Sequence, residues 1–425
     1  MAINPETVPV VHPATEPATE PATKPAAGPL DGVRILDLTA VVMGPFATQM
    51  LADLGATVIK VEPPQGDNIR HVGPMRNKGM GHIYLHAGRN KQSIVLDLKT
   101  AAGKQALLDL AVTCNGLMYN VRPQAMARLG LSYEALKAVR PDIIYVGCYG
   151  YGEAGPYAGK PAYDDLIQGA ASVPSLSLMQ GSTVPRYAPV TLGDRSVGLN
   201  AAIAMCAGLY YQKATGLGQA VEVPMFECLS QFVLGDHLGG RTFEPRVAGY
   251  PDAGYARMVS PDRRPYATTD GYVCVLVYND KHWASFFDLI NRQDLKCDPR
   301  FDTHSHRAEN IDAVYAFVAQ VMQTRTTQDW LSALEAADIP AMPLHTPDSL
   351  VDDKHLQASG FFKEVDHPSE GKLTLMNPAT NWSETPLSIR HLPPTLGQDT
   401  AAVLRAIGYT DIQLEALNAK NSVRP

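Results

Sequence analysis

VRILDLTAVVMGPFATQMLADLGATVIKVE, residues 33–62, decides the fold of this chain. Val33 to Leu38 and Thr57 to Glu62 are short runs rich in β-branched and aliphatic residues, which reads as two strands. Between them, Pro45 to Leu54 carries the spacing of an amphipathic helix, stopped by Gly55. Strand, helix, strand with short connections is a βαβ unit, whose strands lie parallel in one sheet.

The same alternation continues outward. Strands are expected at Ser93 to Leu98, Gly116 to Asn120, Asp142 to Tyr149 and Ala220 to Pro224, with helices at Ala101 to Ala111, Tyr133 to Arg140 and from Asp194 to Lys213. Beyond Phe226 the texture changes. Leu229 to Leu238 reads as helix, and Gly239 to Arg264 as a Gly-, Pro- and Arg-rich loop. Two strands flank Asp270-Gly271, a tight-hairpin signal, and helices follow at Lys281 to Ile290, Ala308 to Met322 and Thr327 to Ala337. The expectation is an α/β protein with a parallel-sheet large domain and a smaller α+β domain. Its parts are a Pro-punctuated leader (1–29), a first stretch of the large domain (30–228), the small domain with its linkers (229–345), and a C-terminal part (346–425) that has no core of its own and returns to the large domain.

A chain of 425 residues, 45% hydrophobic and 19% charged, is an ordinary globular composition and long enough for two domains. Its net charge of −7 argues against nucleic acid or a polybasic membrane contact as the main partner. The six cysteines show no CxxC or zinc-like spacing, and the twelve histidines form no HExxH. No metal site is expected, and a reducing cytoplasm fits the cysteine usage.

Ala188 to Gly198 (APVTLGDRSVG) puts Asp194 at the mouth of a helix, since Leu199, Ala202, Ile203, Cys206, Leu209 and Tyr210 follow at spacings of three and four. Asp194 can be a simple N-cap. It can equally be a nucleophilic carboxylate beside backbone N–H groups able to stabilise an oxyanion. Gly150 to Gly155 is literally GxGxxG after a strand, but Pro156, Gly159 and Pro161 prevent the helix that a dinucleotide fingerprint must open, so a dinucleotide-dependent oxidoreductase is only a distant alternative. Asp164 and Asp165 beside Tyr163 read as a helix cap. Lys60, Arg89, Lys91, Lys99, Arg122 and Arg128 recur near strand ends, either as scattered charge or as partners for a phosphorylated ligand.

Many short motifs then fall in one order: Leu30 to Thr39 (LDGVRILDLT), Gln49 to Ala56 (QMLADLGA), Val58 to Glu62 (VIKVE), Asn90 to Ile94 (NKQSI), Leu96 to Lys99 (LDLK), Tyr119 to Pro123 (YNVRP), Gly150-Tyr151-Gly152, Leu192-Gly193-Asp194, Lys213 to Gln219 (KATGLGQ), Ile339-Pro340 and Leu396-Gly397. In this order the chain resembles the class III CoA-transferases, the family of formyl-CoA and carnitine CoA-transferases, with α-methylacyl-CoA racemase as a cousin. The resemblance implies a Rossmann-like large domain made from both chain ends and an interlocked homodimer. It implies an acyl-CoA:carboxylate CoA-transferase working through an aspartyl anhydride and an aspartyl-CoA thioester on Asp194.

By matched position, Gly193, Tyr163, Asp164, Gly150 and Gly152 would surround the reacting centre, and Val41, Leu96, Lys99, Asn120, Val121 and Arg128 would contact CoA. CoA and acyl-CoA are then substrates, no cofactor is permanently bound, and the acceptor is a small carboxylic acid, with dicarboxylic or hydroxy acids suggested by the family. Departures from the formyl-CoA transferase pattern are Pro63 in place of a basic residue and Val42 in place of Gln. The racemase cousin pairs the same Asp with a His, whose matched position here is Tyr163, a poor base with an ordinary pKa of about 10. A non-catalytic acyl-CoA binder is the remaining alternative.

Overall fold

The computed structural model describes residues 27–249 and 251–421, so the leader expected at 1–29 lies outside the described residues as far as residue 26. The first half holds β1 (Arg34–Leu38), α1 (Met43–Asp53), β2 (Thr57–Glu62), α2 (His82–Ala87), β3 (Lys91–Val95), α3 (Ala101–Ala111), β4 (Gly116–Tyr119), α4 (Pro123–Leu129), α5 (Tyr133–Val139) and β5 (Ile144–Tyr149), the expected alternation with two short helices, α2 and α4, that the sequence reading did not place. There follow α6 (Asp164–Ala170), α7 (Val173–Met179), α8 (Leu192–Thr215), β6 (Gln219–Pro224) and α9 (Met225–His237). The six strands form one parallel sheet in the order β3-β2-β1-β4-β5-β6. The chain reverses direction across the sheet between β1 and β4, and in open α/β sheets that switch point opens a crevice at the carboxyl edge.

Alternate residues of each strand feed opposite layers, as the pleat requires. Ile35, Val58, Met118, Ile144 and Val146 pack with α1, α6, α8 and α9. Leu36, Ile59, Leu117 and Tyr145 pack with α3 and α5 on the other face.

The second half holds α10 (Ala256–Val259), β7 (Tyr266–Ala267), β8 (Tyr272–Val275), α11 (Asp280–Leu289), α12 (His304–Glu309), α13 (Ile311–Met322), α14 (Thr327–Ala336) and β9 (Ala341–Pro343). The last three strands form an antiparallel sheet around β8, with its own core of Trp283, Phe286, Phe287, Phe301 and Trp330. The single helix expected at Ala308 to Met322 is broken at Asn310, whose backbone and side-chain amides both donate to the His306 carbonyl and close α12. After α15 (Pro347–Val351), α16 (Lys354–Ala358) and the hairpin β10 (Phe362–His367) with β11 (Gly371–Met376), the chain reaches α17 (Thr400–Arg405) and α18 (Asp411–Asn421). Val403, Leu404, Leu414 and Leu417 of these helices join the α3–α5 layer of the parallel sheet. On the way, Asp399 and Thr400 accept the Ser93 and Val95 N–H groups, which covers the open edge of β3.

β3 begins at Lys91 rather than Ser93 because Lys91 is buried. Its ammonium reaches Asp37 Oδ2 (3.0 Å), the Pro45 carbonyl (2.9 Å) and Thr48 Oγ1 (2.7 Å). Lys60 likewise pairs with Asp67 (2.8 Å), Arg70 with Glu62 (2.7 Å) and Arg89 with Asp53 (2.6 Å), all out of water. Three of the six cations offered to a phosphorylated ligand, Lys60, Arg89 and Lys91, are thereby corrected to internal ion pairs. Buried charge is tolerable only when paired. Burial holds Lys91 down to about 8, and Lys91 and Lys60 together hold Asp37 down to about 2 against its own desolvation.

Replacing Lys91 by Met leaves Asp37 buried beside less positive charge and is expected to cost roughly 3 kcal/mol or more in urea unfolding. The double variant K91M/D37L should recover much of that loss. A single variant as stable as the wild type would show that the pair carries no weight in the fold.

Candidate active site

Both α1 and α8 begin at the carboxyl edge of the sheet, and they run parallel. At the far end of α8, Gln212 bonds to the Asn115 carbonyl just before β4 and to Asp142 before β5, which fixes its direction. Gly198 of α8 lies against the Met43 carbonyl and the Phe46 ring, so close that a side chain there would collide with both. Asp194 is one turn earlier on the same helix face, and therefore faces the start of α1 and the Thr39–Val42 connection.

Asp194 is the third residue of α8, and the N-cap is Thr191, whose side chain makes no cap bond. The N-cap reading of Asp194 is thus overturned. The helix start is capped from outside: Asp164 Oδ1 accepts the Asp194 N–H at 2.9 Å. Asp164 does not cap its own helix either, because it lies inside α6 after the N-cap Tyr163. Its second oxygen takes Gln168 Nε2 at 2.6 Å, and Gln168 also binds the Ala188 N–H (2.9 Å) and the Val190 carbonyl (3.3 Å) of the approach to α8. Gly193 permits this closeness, since a Cβ there would stand 3.0 Å from Asp164 Oδ1.

The electrostatics follow from this packing. Burial, and then the neighbouring Asp164 charge, push the Asp194 carboxyl up to about 7, with Arg195 opposing them. The Arg195 guanidinium stacks 5.1 Å from the Phe46 ring centroid, between the two helices. A carboxylate so placed is only partly solvated, beside the Gly193 N–H that the helix start leaves open.

The Thr39–Val42 connection opposite is rigidly held. Asn120 binds the Ala40 backbone twice, accepting its N–H (2.9 Å) and donating to its carbonyl (2.6 Å). Asp67 accepts the Val41 N–H (3.0 Å) and Lys60 donates to the Thr39 carbonyl (2.9 Å). Val41 sits at φ 69°, a left-handed backbone that a β-branched residue adopts only under outside constraint. The switch point thus brings Val41 and Asn120 together.

Other expected residues are placed apart. Leu96 is buried, and Lys99 exposed, beyond β3 on the far side of β1. Val121 and Arg128 are exposed beyond β4, where Arg122, Gln124, Arg128 and Gly159 line an open cleft of about 480 Å³. Gly150 packs against Ala162, just before Tyr163, and the Gly152 N–H is bonded to Glu227 Oε1 at 3.0 Å. The GxGxxG loop leads into no helix until α6. Tyr163 is 67% exposed. Sequence reasoning missed Gln168, although its place four residues after Asp164 on one helix is a readable signal. It also missed Asp67 and Lys60 as holders of the connection, which only the fold reveals.

The family model of CoA-transferase family III matches residues 30–400. The chain is 30% identical over 383 residues to the succinyl-CoA:glutarate CoA-transferase of Homo sapiens, a match covering 89% of this chain and 86% of that protein. It is 29% identical over 410 residues to the cinnamoyl-CoA:phenyllactate CoA-transferase of Clostridium sporogenes, covering 92% and 96%. A solved CaiB/BaiF family protein from Brucella suis superposes with a TM-score of 0.74 at 28% identity, covering 90% of this chain and all of that one.

An Asp194 carboxyl raised to about 7 holds its proton more tightly folded than unfolded. Its contribution to stability therefore grows as pH falls through about 7 and is lost as pH rises. Carbonyl-region NMR of 13C-labelled Asp should show one carboxyl titrating near neutrality, absent in Asp194→Asn. Asp164→Asn keeps the acceptor for the Asp194 N–H but removes the like charge, so the titration should move down. Unchanged titration in Asp164→Asn would remove Asp164 as a cause.

Proposed function

This chain belongs to CoA-transferase family III, and from that premise we propose that it moves CoA from an acyl-CoA to a free carboxylic acid through covalent intermediates on Asp194. The observation that carries the reading is a half-buried carboxylate at the start of α8, pushed up to about 7 and set one helix turn from the contact of Gly198 with the start of α1.

The steps balance without any outside reagent. An Asp194 carboxylate oxygen attacks the thioester carbonyl, forming an aspartyl anhydride and expelling CoA thiolate. The thiolate attacks Cγ of Asp194, releasing the first acid and leaving an aspartyl-CoA thioester. The acceptor carboxylate attacks that Cγ and again expels thiolate, which then takes the new acyl group and restores the carboxylate. Each oxyanion needs a donor. The Gly193 N–H at the start of α8 supports this role, as do the N–H groups at the start of α1, where Val42 as N-cap supplies no side-chain bond. Water must be kept away, because both intermediates hydrolyse.

For CoA, Val41 and Asn120 would shape the crevice, Leu96 and Val121 would flank it, and Lys99 and Arg128 would take phosphates. Asn120 spends its amide on Ala40, so its main effect would pass through the backbone it holds. We read the assembly as an interlocked homodimer. Leu199, Ile203 and Tyr210 form an exposed apolar stripe along α8, continued by Phe232 and Leu238 on α9, and an exposed patch of this kind marks a contact surface. Six free cysteines support a reducing, cytoplasmic setting. No described helix is long and apolar enough to cross a membrane. The racemase alternative lacks support at Tyr163, which stands in solvent.

Mass spectrometry of thioesters after incubation in D2O with paired acyl-CoA donors and free acids tests the reading. A new thioester is expected, abolished in Asp194→Ala; deuterium entering the α-position of an unchanged acyl-CoA would make this a racemase instead. Arg128→Ala should raise KM for acyl-CoA about tenfold, the equivalent of ~1.4 kcal/mol, with kcat little changed. Sedimentation should give twice the 45.9 kDa chain mass at all working concentrations.

A further inference from the structure

A cavity of about 580 Å³ opens along α1, with Arg195 of α8 in its wall, and lies within the size range of small-molecule sites. Its wall is mostly carbon, from Val42 and Phe46 of the α1 start, Ile83 of α2, and Phe361, Met376 and Trp382 of the C-terminal stretch around the β10–β11 hairpin. It shares Val42 and Phe46 with the site, and Arg195, next to the nucleophile, lines it as well. A molecule bound there has one end at Arg195, the residue after Asp194.

The charges in the wall decide what kind of molecule fits. Arg89 is committed to Asp53, which also accepts from Asn90 Nδ2 and Gln49 Nε2. Burial and the nearby Arg89, His82 and Arg195 push the His86 imidazole down, so His86 is neutral at physiological pH. Among the described lining residues this leaves Arg195, next in sequence to Asp194, as the cationic side chain without a carboxylate partner. A second carboxylate carried among Phe361, Met376 and Trp382 would shed part of its water against carbon and meet no counter-ion there, which is unfavourable. An apolar skeleton gains from the same burial. One polar atom is on offer: His86 Nδ1 is buried without any hydrogen-bond partner.

We propose that this cavity holds the carbon skeleton of the acid exchanged on Asp194, selecting monocarboxylic acids with an aromatic or branched apolar body over short dicarboxylic acids. A hydroxyl on that skeleton finds a partner in His86. The proposal rests on the transferase reading, and replaces the small dicarboxylic acid that the family resemblance suggests. Val42, where formyl-CoA transferase has Gln, belongs to the same apolar surface.

The test is label exchange between each unlabelled acyl-CoA and its own 13C-labelled free acid, a thermoneutral reaction that needs no second substrate. 3-Phenylpropanoate and 4-methylpentanoate should exchange with kcat/KM about tenfold or more above succinate and malonate. Ile83→Trp, which fills the cavity, should lower the ratio of 3-phenylpropanoate to acetate exchange by about tenfold. Binding is read independently of turnover: 3-phenylpropanoate should quench Trp382 fluorescence, a signal absent in Trp382→Phe, since Trp283 and Trp330 lie in the separate core around β8. Faster exchange of succinate, or a selectivity ratio unmoved by Ile83→Trp, overturns this proposal and leaves the transferase standing. Absence of Asp194-dependent exchange with every acid removes the transferase reading, and this inference with it.

Discussion

Three buried cations set against three buried anions hold the carboxyl edge of the sheet in one shape. Lys91 meets Asp37, Lys60 meets Asp67 and Arg70 meets Glu62, and the Asp67 N–H binds Glu62 to link the last two pairs. The strand register places Asp37 beside Lys60 and Lys60 beside Ser93, with Glu62 and Lys91 two residues away along their strands, so the charges share one face of three strands. Apolar side chains could fill that volume at equal or better stability. They could not accept the Val41 N–H or donate to the Thr39 carbonyl, as Asp67 and Lys60 do. Holding Val41 in a left-handed conformation costs on the order of 1 kcal/mol or more, and these side chains supply that cost locally. The ion pairs belong to the crevice as much as to the core.

Asp194 presents the opposite problem. A nucleophilic carboxylate must be ionised, yet dry enough to react and to spare its acyl intermediates from water. Asp164 answers half of this by orienting the helix start through the Asp194 N–H, and it aggravates the other half with its own charge. Gln168 keeps Asp164 in place while tying down the Ala188–Val190 approach. Two acids and an amide thus trade a harder ionisation for fixed geometry, a trade that suits a group whose attack depends on orientation.

The βαβ alternation was legible because strand and helix periods differ and because Gly55, Gly130 and Gly216 end helices where the spacing stops. Asp194, with Gly193 beside it, stood out for the same local reason. Lys60, Arg89 and Lys91 were misread because a charged residue looks alike in sequence whether it faces water or a buried partner elsewhere in the chain. Asp37 and Lys91 are 54 positions apart and meet only after two strands are threaded between helices. The cap on α8 was hidden likewise: the rule that an Asp near a helix start caps its own helix failed twice, since the bond joins Asp164 of α6 to α8. Asn120 was found by resemblance, but its clasp on Ala40 is a property of the switch point, where the ends of β1 and β4 become neighbours.

Asp194 lies on a helix outside the repeating unit that builds the crevice, so the two must be joined accurately. Gly198 makes that join. Its missing side chain lets α8 rest on the Met43 carbonyl and the Phe46 ring, one turn below Asp194. The distance from Asp194 to the Thr39–Val42 backbone is then set by van der Waals contact, the stiffest restraint that packing offers. The charge row fixes the connection from beneath and Gly198 fixes α8 from the side. Arg195 lies over Phe46 at the same join, so the cavity wall inherits its position from the same contact. The reactivity proposed for Asp194 and the acid selection proposed for the cavity would thus share one mechanical origin, the close approach of α8 to α1.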